Sequence, residues 1–254
     1  MIGINLIKSM KDFNFDSKPL KPKETLFPKF WKNDRNGGIN PIVSRKLIEI
    51  SDRIIDSLNL EAKPKDVIVT GSIVSYNWHE NSDIDLHILY DFEEINEDFS
   101  IVKRMLDEIR INWNKKHNIR IAGKEVELYF QHAYEPHESN GIWSLELEKW
   151  LAQPVKDNPD IDLKNTEKKA ESIAQCIEHL FLMFKDSNFK EAYSFSKKIK
   201  SKISRMRRAG LDKEGIYSPE NLAFKMLRNS GYLEKLSALK IEAYDKMMSI
   251  DIKQ

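Results

Sequence analysis

The chain has 254 residues and a mass of 29.8 kDa, enough for one large domain or two modest ones. With 41% hydrophobic and 32% charged residues it reads as a globular chain with a well-solvated surface, and a formal net charge of +1 gives no global pull towards a polyanion, so only local clusters of charge matter. The single cysteine, Cys176, excludes an internal disulfide, and the longest apolar run, "LFLMF" at 180–184, is far short of a membrane span, so a cytoplasmic protein with no membrane partner is expected.

Residues 1–40 read as an N-terminal extension. "MIGINLIKSMKDF" has no long apolar core of the signal-peptide kind, and "SKPLKPKETLFPKFWKNDRNGG" carries three prolines and five lysines, with Phe27, Phe30 and Trp31 as anchors. This basic arm, 18–32, suits packing onto its own domain better than a grip on nucleic acid, and it suits an oligomer contact equally. From Pro41, Ile42, Leu47, Ile50, Ile54, Ile55 and Leu58 recur near a helical period until Pro64. "VIVT" (67–70) is a β-branched strand that Gly71 ends, and the stretch after Ser72 starts a short helix. "DIDLHILY" (83–90) is a second strand. A helix over 94–115 places Ile101, Met105, Ile109 and Trp113 on one face. "KEVELYFQ" (124–131) is a third strand, with "IRIA" as its hairpin partner.

Past residue 135 no further strand is expected. Pro154 and Pro159 mark a polar linker, and helices follow near 166–186, 189–208, 219–229 and 231–248. The pattern therefore predicts a mixed α/β domain over 41–155 and a helical domain over 156–254. Cys176 shares a helical stripe with Ile173, Ile177 and Leu180, which suits a structural thiol rather than a nucleophile.

On the second strand, alternation puts Asp83 and Asp85 on one face and Ile84 and Leu86 on the other. Two adjacent carboxylates repel each other unless a cation lies between them. A divalent metal answers that repulsion, and hard oxygen ligands at a sheet edge suit Mg²⁺. Holding two ions about 3.5–4 Å apart for displacement at phosphorus needs a third ligand. Glu125 and Glu127 both qualify by face. Glu127 is preferred because apolar neighbours hold it inside the strand, whereas Glu125 lies at the frayed start. Gly71 permits a tight turn, Ser72 opens a helix whose N–H groups face phosphate, and Ser82 adds a hydroxyl.

Together, "VTGS" (69–72), "SDIDL" (82–86) and "VEL" (126–128) resemble the nucleotidyltransferase superfamily typified by DNA polymerase β, over residues 67–130. The resemblance implies an α+β fold: a mixed β-sheet flanked by helices, followed by a C-terminal helical bundle. It further implies that Asp83, Asp85 and Glu127 are catalytic and bind two Mg²⁺ ions, with Mn²⁺ able to substitute. Gly71, Ser72 and Ser82 would hold the phosphates of a nucleoside triphosphate, ATP among the candidates.

Other signals are weaker. His87 shares the carboxylates' face, and His132 and His137 flank "AYEP", but structural roles suit all three better than metal ligation. "KKIKSKISRMRR" (197–208) is an amphipathic helix with a basic exterior, either a solvated face or a contact to triphosphate or nucleic acid. Lys225 and Arg228, on the helix that Ser218 and Pro219 begin, are further candidate phosphate contacts.

The reading is a metal-dependent enzyme that moves a nucleoside monophosphate from an NTP to an acceptor hydroxyl and releases pyrophosphate. A small-molecule or protein acceptor is favoured, because no RNA-binding or template-reading module is recognisable. Template-independent addition to an RNA or DNA end is the enzymatic alternative. A non-catalytic nucleotide-binding or interaction module is the alternative of another class, and the retained set of repelling carboxylates counts against it.

Overall fold

Asn40 starts the first helix: its side chain accepts the Ile42 N–H at 3.0 Å, and Pro41 follows at the first position. This helix, α1 (Pro41–Leu58), ends at Asn59, whose left-handed backbone halts it. A computed structural model of the chain describes residues 13, 15, 17, 20–32, 37–136 and 139–250. It divides into two units, Lys21–Asn158 and Met1–Leu20 with Pro159–Gln254.

The first unit is built on a six-stranded mixed sheet. β1 (Asp66–Thr70) pairs antiparallel with β2 (Ile84–Tyr90). The helix α2 (Phe99–Lys116), capped by Asp98, then carries the chain back so that β4 (Lys124–His132) runs parallel to β2. β3 (Arg120–Ile121) forms the expected hairpin with β4. Beyond β3 the outer edge of β4 is partnered by Asn114 of α2, whose side chain bonds both the N–H and the carbonyl of Leu128.

Two strands lie where the sequence predicted none. β5 (Ile142–Ser144) pairs with β1, and β6 (Lys149–Ala152) pairs with β5, giving the order β3-β4-β2-β1-β5-β6. At three and four residues they are too short for an alternation to register, and the free edge of β1 is what recruits them.

One face of the sheet is covered by α1 and α2. Leu47, Ile50 and Ile54 of α1 and Val102 and Leu106 of α2 are buried with Val69, Ile84, Leu86, Ile88, Val126 and Leu128. Phe27, Phe30 and Trp31 are buried in the same core, and Trp31 Nε1 donates to the Ile73 carbonyl at 2.9 Å. Lys18, His137 and residues 1–12 lie outside the described residues.

The second unit is helical: α3 (Leu163–Lys185), α4 (Phe189–Glu214), α5 (Pro219–Asn229) and α6 (Tyr232–Met248). Its core joins Ile173, Ile177 and Leu180 of α3 to Ile199 and Ile203 of α4, Leu222 and Met226 of α5 and Leu239 of α6. Cys176 packs, half-buried, against it. α4 runs two turns beyond the expected residue 208, to a glycine at 215. Among the described residues no helix is long and apolar enough to cross a membrane.

Candidate active site

The parallel register of β2 and β4 sets Asp85 directly beside Glu127. Asp83 precedes β2 by one residue and projects to the same side. Carboxylate oxygens of Asp83, Asp85 and Glu127 all lie within 4.8 Å of one another, and the three residues are half-buried. Alternation sends Ile84 and Leu86 of β2, and Val126 and Leu128 of β4, into the core behind them.

Gly71 follows β1, whose last residue Thr70 pairs with Asp85. Its φ of 81° and ψ of −162° belong to a region that side chains other than glycine avoid, and a Cβ there would lie 1.8 Å from Asp85 Oδ2. Glycine is thus required by the approach of the backbone to the carboxylate as well as by the turn. The helix after it is a single 3₁₀ turn, Ser72–Val74. Ser72 and Ser82, ten residues apart, meet hydroxyl to hydroxyl at 2.7 Å. Ser82 Oγ also accepts the His79 N–H at 2.9 Å.

The loop that presents Ser82 and Asp83 is held from behind. Lys124 is almost wholly buried, with its Nζ donating to the carbonyls of His79 at 2.8 Å and Glu80 at 2.6 Å. Burial pushes its ammonium below the ordinary lysine range, against the pull of Glu80. On the other side, Tyr129 donates its hydroxyl to Glu127 Oε2 at 2.7 Å. Burial, this hydrogen bond and the neighbouring carboxylates all raise the Tyr129 pKa, so the phenol remains a donor.

Along the same face of the sheet, His87 stacks on Tyr129 at 4.8 Å and its Nδ1 bonds Gln131 Oε1 at 2.8 Å. His132 accepts the Phe92 N–H through Nδ1 and packs among Phe92, Phe99 and Tyr134. Glu125 faces Arg120 across the hairpin at 3.8 Å. Two cavities open at the carboxylates. One, of about 570 Å³, is lined by Gly71, Asp85, His87, Tyr129, Gln131 and Glu135 among others; the second, of about 330 Å³, is lined by Ser82, Asp83, Arg120, Glu125 and Glu127 among others.

Residues 51–203, more than half of the chain, match the family model described as a nucleotidyltransferase domain. The chain belongs to this family. No curated protein and no solved structure gives a significant match. The nucleotidyltransferase carries a domain whose general activity is nucleotidyl transfer from a nucleotide substrate. Its acidic cluster fits a divalent metal: three carboxylates offer hard oxygen ligands within reach of one ion.

Of the residues singled out in the sequence, Gly71, Ser72 and Ser82 lie beside the cluster of Asp83, Asp85 and Glu127, whereas Lys225 and Arg228 belong to the other unit. Tyr129 and Lys124 were not foreseen. Tyr129 had a sequence signal, since it lies two residues after Glu127 on the same strand face. Lys124 had none, because its partners are carbonyls of a distant loop.

Proposed function

We propose that this nucleotidyltransferase uses Mg²⁺ to move a nucleoside monophosphate from a nucleoside triphosphate, ATP among them, to an acceptor hydroxyl. The convergence of Asp83, Asp85 and Glu127 beside the Ser72–Ser82 hydroxyl pair carries this reading. The three carboxylates would hold the metal, and an all-carboxylate set favours Mg²⁺, or Mn²⁺ in its place. Bound metal supplies charge neutralisation at the phosphoryl oxygens and a lower pKa for the acceptor hydroxyl. Ser72 and Ser82 offer hydroxyl donors to the triphosphate, and Gly71 lets it come close. Tyr129 holds Glu127 in one orientation, and Lys124 keeps the 79–82 loop in place. The acceptor hydroxyl releases its proton to water, its oxygen bonds to the α-phosphorus as the bond to the bridging oxygen breaks, and pyrophosphate leaves.

The cavity at Asp85 supports a small or protein-borne acceptor. Among the described residues its lining includes Glu135 and no lysine or arginine, a poor setting for a nucleic-acid backbone. The exposed basic side of α4 favours the second reading, addition to an RNA or DNA end: Lys198, Lys202 and Arg205 all face solvent there. Pyrophosphate release from each of the four NTPs with Mg²⁺, assayed alone and with cellular metabolites, protein or RNA, tests the proposal. Release that one acceptor fraction stimulates, and that Asp83→Asn abolishes, is expected. Nucleotide binding without release under every condition would instead identify a binding module. If RNA is the acceptor, replacing Lys198, Lys202 and Arg205 by glutamine should remove a salt-sensitive affinity for it.

A further inference from the structure

The helical unit carries a cluster of cations with no paired acid among the described residues. On α5, Asn221, Lys225 and Arg228 follow one another at i, i+4 and i+7, so they line one stripe of the helix. Arg207 of α4 reaches the head of that stripe. Its Nε donates to Asn221 Oδ1 at 3.1 Å, and its guanidinium lies over the Phe224 ring at 4.2 Å. The amide of Asn221 is fixed in turn, because its Nδ2 donates to the Ile216 carbonyl at 2.7 Å. Arg207 is thereby held at the start of a row that continues with two more cations.

Lys225 is half-buried in this row. Burial pushes its ammonium down to about 8, and Arg228 and Arg207 push the same way. Desolvation of the guanidinium and the charge of Arg228 likewise lower the Arg207 pKa. The charged groups that act on either residue are thus other members of the cluster. Among the described residues no carboxylate pairs with any of the three, and Glu220, the acid of α5, is committed to Lys169 at 2.9 Å. Three cations held together repel one another, and Lys225 is partly desolvated as well. A bound anion reverses that.

We propose that Arg207, Lys225 and Arg228 form a binding site for a phosphoryl dianion. The two guanidinium groups match pairs of phosphate oxygens, and the ammonium supplies a point charge. A tetrahedral dianion offers oxygens to all three, whereas a single carboxylate, with one charge and two oxygens, leaves one cation unanswered. The dianion belongs either to the polyphosphate tail of a nucleotide or to a separate phosphate-bearing molecule. Anion binding here can be read without any nucleotidyl transfer, since none of the three residues belongs to the carboxylate cluster.

Calorimetric titration of the full chain with inorganic phosphate, pyrophosphate and tripolyphosphate, without divalent metal and at fixed ionic strength, tests the site. Saturable binding is expected, weakened roughly tenfold or more by Arg228→Gln or Lys225→Met. Lys240→Gln, a lysine outside the cluster, should leave it unchanged. Because Arg228 is exposed, its replacement keeps the test valid where Lys225→Met disturbs the helix. Titration with ATP separates the two sources. Competition between ATP and pyrophosphate, with ATP affinity reduced in Arg228→Gln, assigns the site to the nucleotide tail. Simultaneous binding, with ATP affinity unchanged in that variant, assigns it to a separate phosphate. Absence of saturable binding by all three anions, or equal affinity in wild type, Arg228→Gln and Lys225→Met, overturns the proposal.

Discussion

Gly71→Ala puts one methyl group against the centre of the acidic cluster, and Gly215→Ala supplies its control. Both glycines have nearly the same backbone, φ 81° and ψ −162° at Gly71 against φ 72° and ψ −155° at Gly215. A non-glycine residue there costs about 1–3 kcal/mol wherever it is placed. At Gly215 nothing among the described residues lies within 4 Å of the added Cβ, so that cost is the whole effect. At Gly71 the Cβ would lie 1.8 Å from Asp85 Oδ2, while ordinary contact begins near 3.4 Å. The carboxylate must therefore retreat by about 1.6 Å, the difference between those distances, and a displacement of about 1 Å in a reacting constellation costs on the order of a hundredfold in rate. Urea unfolding without metal should show comparable losses of stability in the two variants. Manganese affinity, read from the relaxation of water protons, and pyrophosphate release should collapse only in Gly71→Ala. Turnover in Gly71→Ala within about tenfold of Gly215→Ala would refute the claim that the glycine exists to admit the Asp85 carboxylate.

The third ligand is tested by a pair of variants: Glu127→Gln should reduce turnover nearly as far as Asp85→Asn, whereas Glu125→Gln, turned towards Arg120, should be mild. A reversed order in pyrophosphate release would move the ligand by one pleat. Tyr129→Phe removes a hydrogen bond to a charged oxygen, worth about 1.5–3 kcal/mol, so the metal concentration for half-maximal turnover should rise roughly tenfold while the rate at saturating metal persists. An unchanged metal requirement would show that Glu127 is positioned without it. The Lys225 pKa of about 8 lies below its ordinary 10.5, so between these values the unfolded chain binds more protons and stability should rise with pH. The gain is at most about 3 kcal/mol, and Lys225→Met should flatten that part of the stability profile; a parallel profile in the two proteins would contradict the assignment.

Much of the sheet-bearing unit was legible because alternation is a local property. The identity of every second residue in "SDIDLHILY" and "KEVELYF" assigns Asp83, Asp85 and Glu127 to one face and Ile84, Leu86, Val126 and Leu128 to the other, whatever the strands pair with. The helical unit was legible for a similar reason, since Ile173, Ile177 and Leu180 repeat at a helix's own period and Ser218 with Pro219 marks a start. β5 and β6 were not, because three- and four-residue strands exist only by virtue of the edge they join.

The sequence by itself thus determined which side chains face together within each element, because backbone geometry repeats over a few residues. Which elements meet, and in what register, was decided by the tertiary structure alone. The α2 crossover makes β4 parallel to β2 and sets Glu127, rather than Glu125, opposite Asp85. Ser72 meets Ser82, Lys124 reaches the carbonyls of His79 and Glu80, and Arg207 lands on Asn221, each across a gap that no local pattern spans. Such contacts form because buried polar groups must find partners once hydrophobic packing has closed the core, and the chain's periodicity says nothing about which partner will be near.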